Sequence, residues 1–254
     1  QYKSTSKCKY SMGKSFLLVG GSSDIGLRLA TMLLDEGHGV TLLARDAERV
    51  NHLVAMGAVL VQGDALDEDT VQAAVATASE AGENGLSGMA HLVGSIALRP
   101  PHATKLEDFQ SVLQTNLVSA FLALKTAGKA MLKLGQGRMV FTSSVAGSYG
   151  LTNHEAIAAA KGGIEAMVRS AASTYAGRGL RVNAVAPGLT ETRLGATVLR
   201  SDAIREASVG MIPLKRINEP EEIAQSMHWL LTAAPDNLTG QVIHLDGGMS
   251  ALRG

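Results

Sequence analysis

Ser15-Phe16-Leu17-Leu18-Val19-Gly20-Gly21-Ser22-Ser23-Asp24-Ile25-Gly26 is the stretch on which the fold turns. Ser15 to Val19 is a short, continuous apolar run that Gly20-Gly21 stops. A strand buried on both faces of a parallel sheet has this composition, because neither face meets water. From Ile25 to Glu36 the period changes. Ile25, Leu29, Met32 and Leu33 recur at helical spacing, and Gly37 supplies a stop signal. Strand, glycine turn and helix make the first half of a βαβ unit. The N–H groups of such a turn, with the dipole of the helix it opens, suit an anion such as a pyrophosphate.

The same alternation continues down the chain. Val40–Ala44, Ala58–Val61, Met89–Val93, Arg138–Thr142, Arg181–Ala186 and Gln241–Leu245 read as strands. Ala47–Met56, Asp69–Ala81, Thr104–Leu134 (as one or two helices), Glu155–Tyr175 and Glu219–Thr232 read as helices. Strands alternating with helices predict one Rossmann-like α/β domain over residues 13–254. Its core would be a doubly wound parallel sheet of about seven strands with helices on both faces. Ligands of such sheets bind beyond the carboxyl ends of the strands, where the strand order reverses.

Composition narrows the function classes. Of 254 residues, 46% are hydrophobic and 18% charged, as a packed globular core requires. Lys+Arg and Asp+Glu both number 23, so the formal net charge is zero, which speaks against a nucleic-acid or anionic-membrane partner. No apolar run reaches the roughly 18 residues of a membrane span. The single cysteine, Cys8, allows no internal disulfide, and the seven histidines have no metal-ligand spacing, so no metal site is expected. Residues 1–12 are Lys- and Ser-rich without periodicity, and Met12-Gly13-Lys14 directly precedes the first strand. They read either as a vector-derived leader with the natural start at Met12, or as the remnant of a processed transit peptide. A reducing compartment fits the lone cysteine: the cytoplasm, or an organellar stroma or matrix in the second case.

Ser143-Ser144-Val145-Ala146-Gly147, followed by Ala158-Ala159-Ala160-Lys161-Gly162-Gly163, resembles the active-site segment of the short-chain dehydrogenase/reductases. Val19 to Gly26 is similar to that family's TGxxxGxG turn, with Val19 for Thr and Asp24 for the middle glycine. The resemblance runs from about residue 14 to 250, and its nearest pattern is the β-ketoacyl-acyl-carrier-protein reductase-like branch. It implies a cofactor cradle of Gly20, Ser22, Ser23, Ile25 and Gly26. Asp24 is expected either to cap the first helix, pointing away from a phosphate, or to compete with that phosphate.

Arg45, directly after the second strand, stands where NAD-preferring relatives carry an acid. A guanidinium there suits a 2′-phosphate, so NADP(H) is expected over NAD(H), with Ala44 giving room; a solvated Arg paired with Asp46 or Glu48 is the plainer alternative. By the same resemblance Asp64 contacts the adenine, unless it is simply a free loop carboxylate. Gly94-Ser95-Ile96-Ala97 replaces the family's Asn-Asn-Ala-Gly beside the nicotinamide ribose, and faintly resembles the enoyl-acyl-carrier-protein reductases. Pro187-Gly188-Leu189-Thr190-Glu191-Thr192 resembles the loop whose last Thr touches the carboxamide, and Leu245-Asp246-Gly247-Gly248 the C-terminal DGG.

In the chemical half, the resemblance makes Ser144 the carbonyl-binding Ser, Lys161 the Lys, and Asn116 the Asn that positions a relay water. The family Tyr, thirteen residues after the Ser and four before the Lys, falls on Ile157, which has no proton to give. His154 is a candidate substitute acid, with a plain surface histidine in an active-site loop as the other reading; Lys161 itself, desolvated by Ile157, is a second candidate. Tyr149 would need an unusual loop to reach the site. The enoyl reductases place their Tyr at His154, so they do not fill the vacancy.

Two functions follow. One is an NADP(H)-dependent oxidoreductase acting on a small carbonyl or alcohol with an atypical active site. The other is a catalytically inactive nucleotide-binding homologue that serves as scaffold or partner subunit. A homodimer or homotetramer is expected, through the long helices and the small face Ala156, Ala159, Ala160 and Gly163. Residues 189–212 are expected to form a lid whose arginines, Arg193, Arg200 and Arg205, are nearly cancelled by Glu191, Asp202 and Glu206.

Overall fold

Phe16, Leu17, Leu18 and Val19 are fully buried, as a strand covered on both faces requires. They belong to β1 (Ser15–Val19) of a computed structural model that describes residues 13–252. The leader expected over residues 1–12, with Cys8, lies outside the described residues. The other strands are β2 (Gly39–Ala44), β3 (Val59–Gln62), β4 (Leu86–His91), β5 (Gly137–Thr142), β6 (Leu180–Pro187) and β7 (Val242–Leu245). All pair in parallel in the order β3-β2-β1-β4-β5-β6-β7. The order reverses between β1 and β4, where Val19 stands level with His91, and a crevice opens beyond their carboxyl ends.

Two apolar layers cover the sheet. On one face α3 (Glu68–Ala81), α5 (Ser119–Leu134) and α6 (Glu155–Tyr175) bury Val71, Ala127, Ile164 and Val168 against Leu17, Met89 and Phe141. On the other, α1 (Asp24–Asp35), α2 (Asn51–Ala55) and α9 (Pro220–Thr232) bury Leu29, Leu53 and Met227 against Phe16, Leu42 and Val140. A third, small cluster of Val112, Ala146, Ala156, Ile157 and Ala160 packs at the mouth of the crevice.

Several elements depart from the periodicity reading. The helix expected over 47–56 is a 3₁₀ turn, Glu48–Val50, followed by the five residues of α2. The helix expected over 104–134 divides into α4 (Leu106–Leu113), a π turn (Gln114–Val118) and α5. The π turn carries Asn116 into the interior. Residues 189–212 contain two helices, α7 (Arg193–Ala196) and α8 (Asp202–Gly210). Neither buries a residue, so neither leaves an apolar stripe to read. Both are started by caps, Thr192 Oγ accepting from Gly195 N–H and Ser201 Oγ from Ile204 N–H. Within the small-residue face of α6, Ala156 and Ala160 are buried, Gly163 is packed by Leu117 of the same chain, and Ala159 remains exposed. Among the described residues no helix is long and apolar enough to cross a membrane.

Candidate active site

A cavity of about 590 Å³ fills the crevice at the carboxyl ends of the strands. Its wall joins Gly20, Ser22, Ser23 and Ile25 from the first turn, Arg45 and Asp64 after β2 and β3, and Gly94 after β4. Asn116, Ser144, His154, Ile157 and Lys161 line its middle, and Pro187, Gly188, Thr190 and Thr192 close it from the loop after β6. Gly26 is the exception among the expected cradle residues. Its N–H is taken by Ser23 Oγ at 3.1 Å, and a Cβ there would stand 2.9 Å from the Gly21 carbonyl oxygen, so it serves helix packing.

The cap of α1 is Ser23, not Asp24. Asp24 instead accepts from Arg49 Nη2 at 2.7 Å and from the backbone N–H of Arg193 at 2.8 Å. Arg193 Nε lies 3.8 Å from the same carboxylate. The charge that would oppose a phosphate is therefore offset by two guanidinium groups. The first-turn amides of Asp24 and Ile25 have no intrahelical acceptor, as at any helix start, and both residues line the cavity.

Arg45 is 79% exposed, with Nη1 3.7 Å from Asp64 Oδ2. Its partner is thus Asp64 rather than Asp46 or Glu48. Asp64 is not a free loop carboxylate, because its Oδ1 also accepts from Leu66 N–H at 2.9 Å. Thr192 Oγ accepts from Gly195 N–H at 2.9 Å, so this hydroxyl caps α7 and the residue also lines the cavity.

At the chemical end, Lys161 Nζ donates to the Thr142 carbonyl at 2.8 Å and makes no ion pair among the described residues. Burial without a counter-charge lowers its pKa from 10.5 to about 8. His91 lies behind it, fully buried. Its Nε2 is 2.9 Å from Ser119 Oγ, which itself donates to the Thr115 carbonyl, so Nε2–H is the donor. Desolvation, and then the nearby Lys161 charge, hold His91 at about 3, so it stays neutral and adds no second positive charge beside Lys161.

Ser144 Oγ accepts from Ala146 N–H at 3.2 Å, which leaves its own proton to donate into the cavity. Ser143, the residue before it, donates to Glu165 Oε1 at 2.8 Å, anchoring the loop to α6. His154 Nδ1 is 2.7 Å from the Thr152 carbonyl. Only an N–H satisfies a carbonyl, so Nδ1 carries the proton and Nε2 is open. Asn153, in the left-handed region at φ 64, sets up that turn. Ile157 is 4% exposed and packs with Val112, Ala146 and Ala160. Tyr149 does not line the cavity and is 42% exposed.

Asn116 is spent on the protein. Its Nδ2 donates to the Ser95 carbonyl, Ser95 Oγ and the Val112 carbonyl at 3.2, 3.1 and 3.0 Å, and Oδ1 accepts from Ser95 N–H at 3.3 Å. Its side chain therefore pins the loop after β4. Sequence reasoning missed Thr142, His91 and Arg49, and named Ser95 only within the run after β4, not as the partner of Asn116. A signal existed for His91 alone, a lone histidine inside an apolar strand run. Tertiary structure also brings apolar side chains to the wall, Leu151, Leu194, Val198, Met211 and Ile212 among them. Among the described residues no group of three His, Cys, Asp or Glu side chains is arranged to hold a metal ion.

Residues 20–250 match the family model described as enoyl-(acyl carrier protein) reductase. The chain is 34% identical over 245 residues to the 2-(S)-hydroxypropyl-CoM dehydrogenase 3 of Xanthobacter autotrophicus, covering 92% of this chain and 96% of that protein. It is 33% identical over 231 residues to the inactive 2-(S)-hydroxypropyl-CoM dehydrogenase 2 of the same organism, covering 88% and 100%. A Beutenbergia cavernae protein, provisionally assigned as an NAD(P)-dependent gluconate 5-dehydrogenase and holding NADP at low occupancy, superposes with a TM-score of 0.86 at 28% identity. That match covers 95% of this chain and 99% of the other.

Proposed function

The chain belongs to the short-chain dehydrogenase/reductase family, and we propose that it is an NADP(H)-dependent oxidoreductase of small carbonyl compounds and alcohols with an atypical proton donor. The observation that carries this reading is the convergence of Ser144, Lys161, Gly94 and the glycine turn on one cavity. Gly20, Ser22, Ser23 and Ile25 would hold the pyrophosphate, Arg45 the 2′-phosphate and Lys161 the ribose hydroxyls next to the nicotinamide. Asp64 would meet the adenine, and Gly188, Thr190 and Thr192 would flank the nicotinamide beside Pro187. When bound, the nicotinamide supplies or accepts the hydride.

The chain's own groups do the rest. Ser144 donates its free O–H to the carbonyl oxygen and stabilises charge as it develops there. Ile157 keeps water off that face. His154, with Nδ1 committed to Thr152, exchanges a proton through Nε2. Asn116 keeps the loop after β4 in place. Assembly as a homodimer or homotetramer belongs to the same reading. Phe121 on α5 is 52% exposed, and Ala159 offers a small exposed site on α6.

The test is NADPH consumption at 340 nm with a panel of ketones, run on the wild type, His154→Ala and Ile157→Tyr. We expect measurable turnover that His154→Ala lowers by about 10²–10⁴, and that Ile157→Tyr raises by a similar factor. Turnover indifferent to His154 would remove it as the acid. The second reading, a nucleotide-binding homologue without turnover, is favoured by Ile157, which the resemblance places at the acid's position and which is buried in its own apolar cluster. Tight NADPH binding without consumption by any ketone would select it.

A further inference from the structure

We propose that, in the cofactor-free protein, Lys161 is a carbonyl-reactive nucleophile, and that the cavity condenses apolar ketones and aldehydes reversibly at its Nζ. Three features of the geometry support this. Nζ has one hydrogen-bond acceptor, the Thr142 carbonyl at 2.8 Å, so its other valences are free. Lys161 lines a cavity whose surrounding wall is apolar at Ile157, Leu151 and Leu194, which suits an uncharged carbonyl compound and disfavours an ammonium. Among the described residues no carboxylate pairs with Nζ. Of the charged or titratable groups nearest it, His91 is neutral and Glu165 is engaged by Ser143. An ionisable phenol at Ile157 would supply a counter-charge; the sec-butyl side chain supplies none.

The pKa of about 8 agrees with that geometry. Near pH 8 about half of the Lys161 population is the neutral amine, on the order of a hundredfold more than for an ordinary surface lysine. The step is balanced within the two reactants. The Nζ lone pair forms the C–N bond while the carbonyl electrons move to oxygen. The two amine protons leave with that oxygen as water, and a C=N bond remains. No oxidant or reductant takes part, and hydrolysis reverses it.

The experiment uses the whole protein without cofactor, incubated near pH 8 with cyclohexanone and sodium cyanoborohydride, which reduces the C=N bond to a permanent amine. Peptide mapping by mass spectrometry then locates the cyclohexyl group. We expect labelling at Lys161 on the order of a hundredfold above that at the exposed Lys125, and levelling of the two when the protein is unfolded in urea. Labelling of Lys161 no greater than that of Lys125 would overturn the proposal, as would a preference that survives unfolding. Adding saturating NADP⁺ separates this inference from the cofactor reading. Protection of Lys161 agrees with both, whereas persistent labelling keeps the nucleophile and removes the cofactor from Lys161.

Discussion

The carboxylate of Asp24 accepts the backbone N–H of Arg193 at 2.8 Å, so the turn after β1 is fastened to the first residue of α7. The other oxygen holds Arg49, whose Nη1 is buried without a partner. Asp24→Gly should cost about 1–3 kcal/mol, because it leaves a largely buried guanidinium unpaired. Urea denaturation measures that loss, and limited proteolysis should cut residues 189–212 faster. An unchanged midpoint and cleavage rate would mean that residues 189–212 are held elsewhere.

Arg45→Ala tests cofactor choice. The side chain is mostly exposed and its one ion pair, to Asp64, is long, so the fold should lose almost nothing. A charge-assisted contact to a 2′-phosphate is worth roughly 1.5–3 kcal/mol, so NADPH should bind about 10- to 100-fold more weakly while NADH changes little. Equal losses for both cofactors would sink the assignment.

Lys161 carries a pH signature. Its folded pKa of about 8 lies below the ordinary 10.5, so between those values the native state binds fewer protons than the unfolded chain. Stability from this group therefore rises with pH across that window, and below it the buried charge costs on the order of 3 kcal/mol. Lys161→Met removes the charge but leaves the Thr142 carbonyl without its donor, which costs about 1 kcal/mol. The variant should be more stable than wild type at neutral pH by about 1–2 kcal/mol, with the gap closing as pH rises from 8 toward 10.5. Urea unfolding at both ends of the range decides it. A less stable variant at neutral pH would refute the desolvated charge.

Asn116→Ala should be the costliest of the four. It leaves the Ser95 N–H and carbonyl without their partner in a part-buried loop, at about 2–4 kcal/mol. Calorimetry should register the loss even without any ligand. A variant as stable as wild type would mean that Ser95 finds water instead.

The order of elements and the position of the crevice were readable from the chain by itself. Central parallel strands must be apolar on both faces, so Phe16–Val19 and Val140–Phe141 announce themselves. The edge strand β3, where Val59 is 43% exposed, was legible from its β-branched residues and flanking glycines. Motif spacing also brought Ser144, Lys161, Asn116 and Ile157 to one wall. Tertiary structure decided what those residues can do. The π turn that spends Asn116 on Ser95, the clasp of Asp24 by Arg49 and Arg193, and the open Nε2 of His154 all depend on partners distant in sequence or on a local turn. The Lys161 charge was lowered in the same way, by burial beside a neutral His91 and an apolar Ile157. Periodicity records which face of an element is buried. It does not record which polar atom meets which across the fold, and that pairing fixes the charge and the free valences of the site.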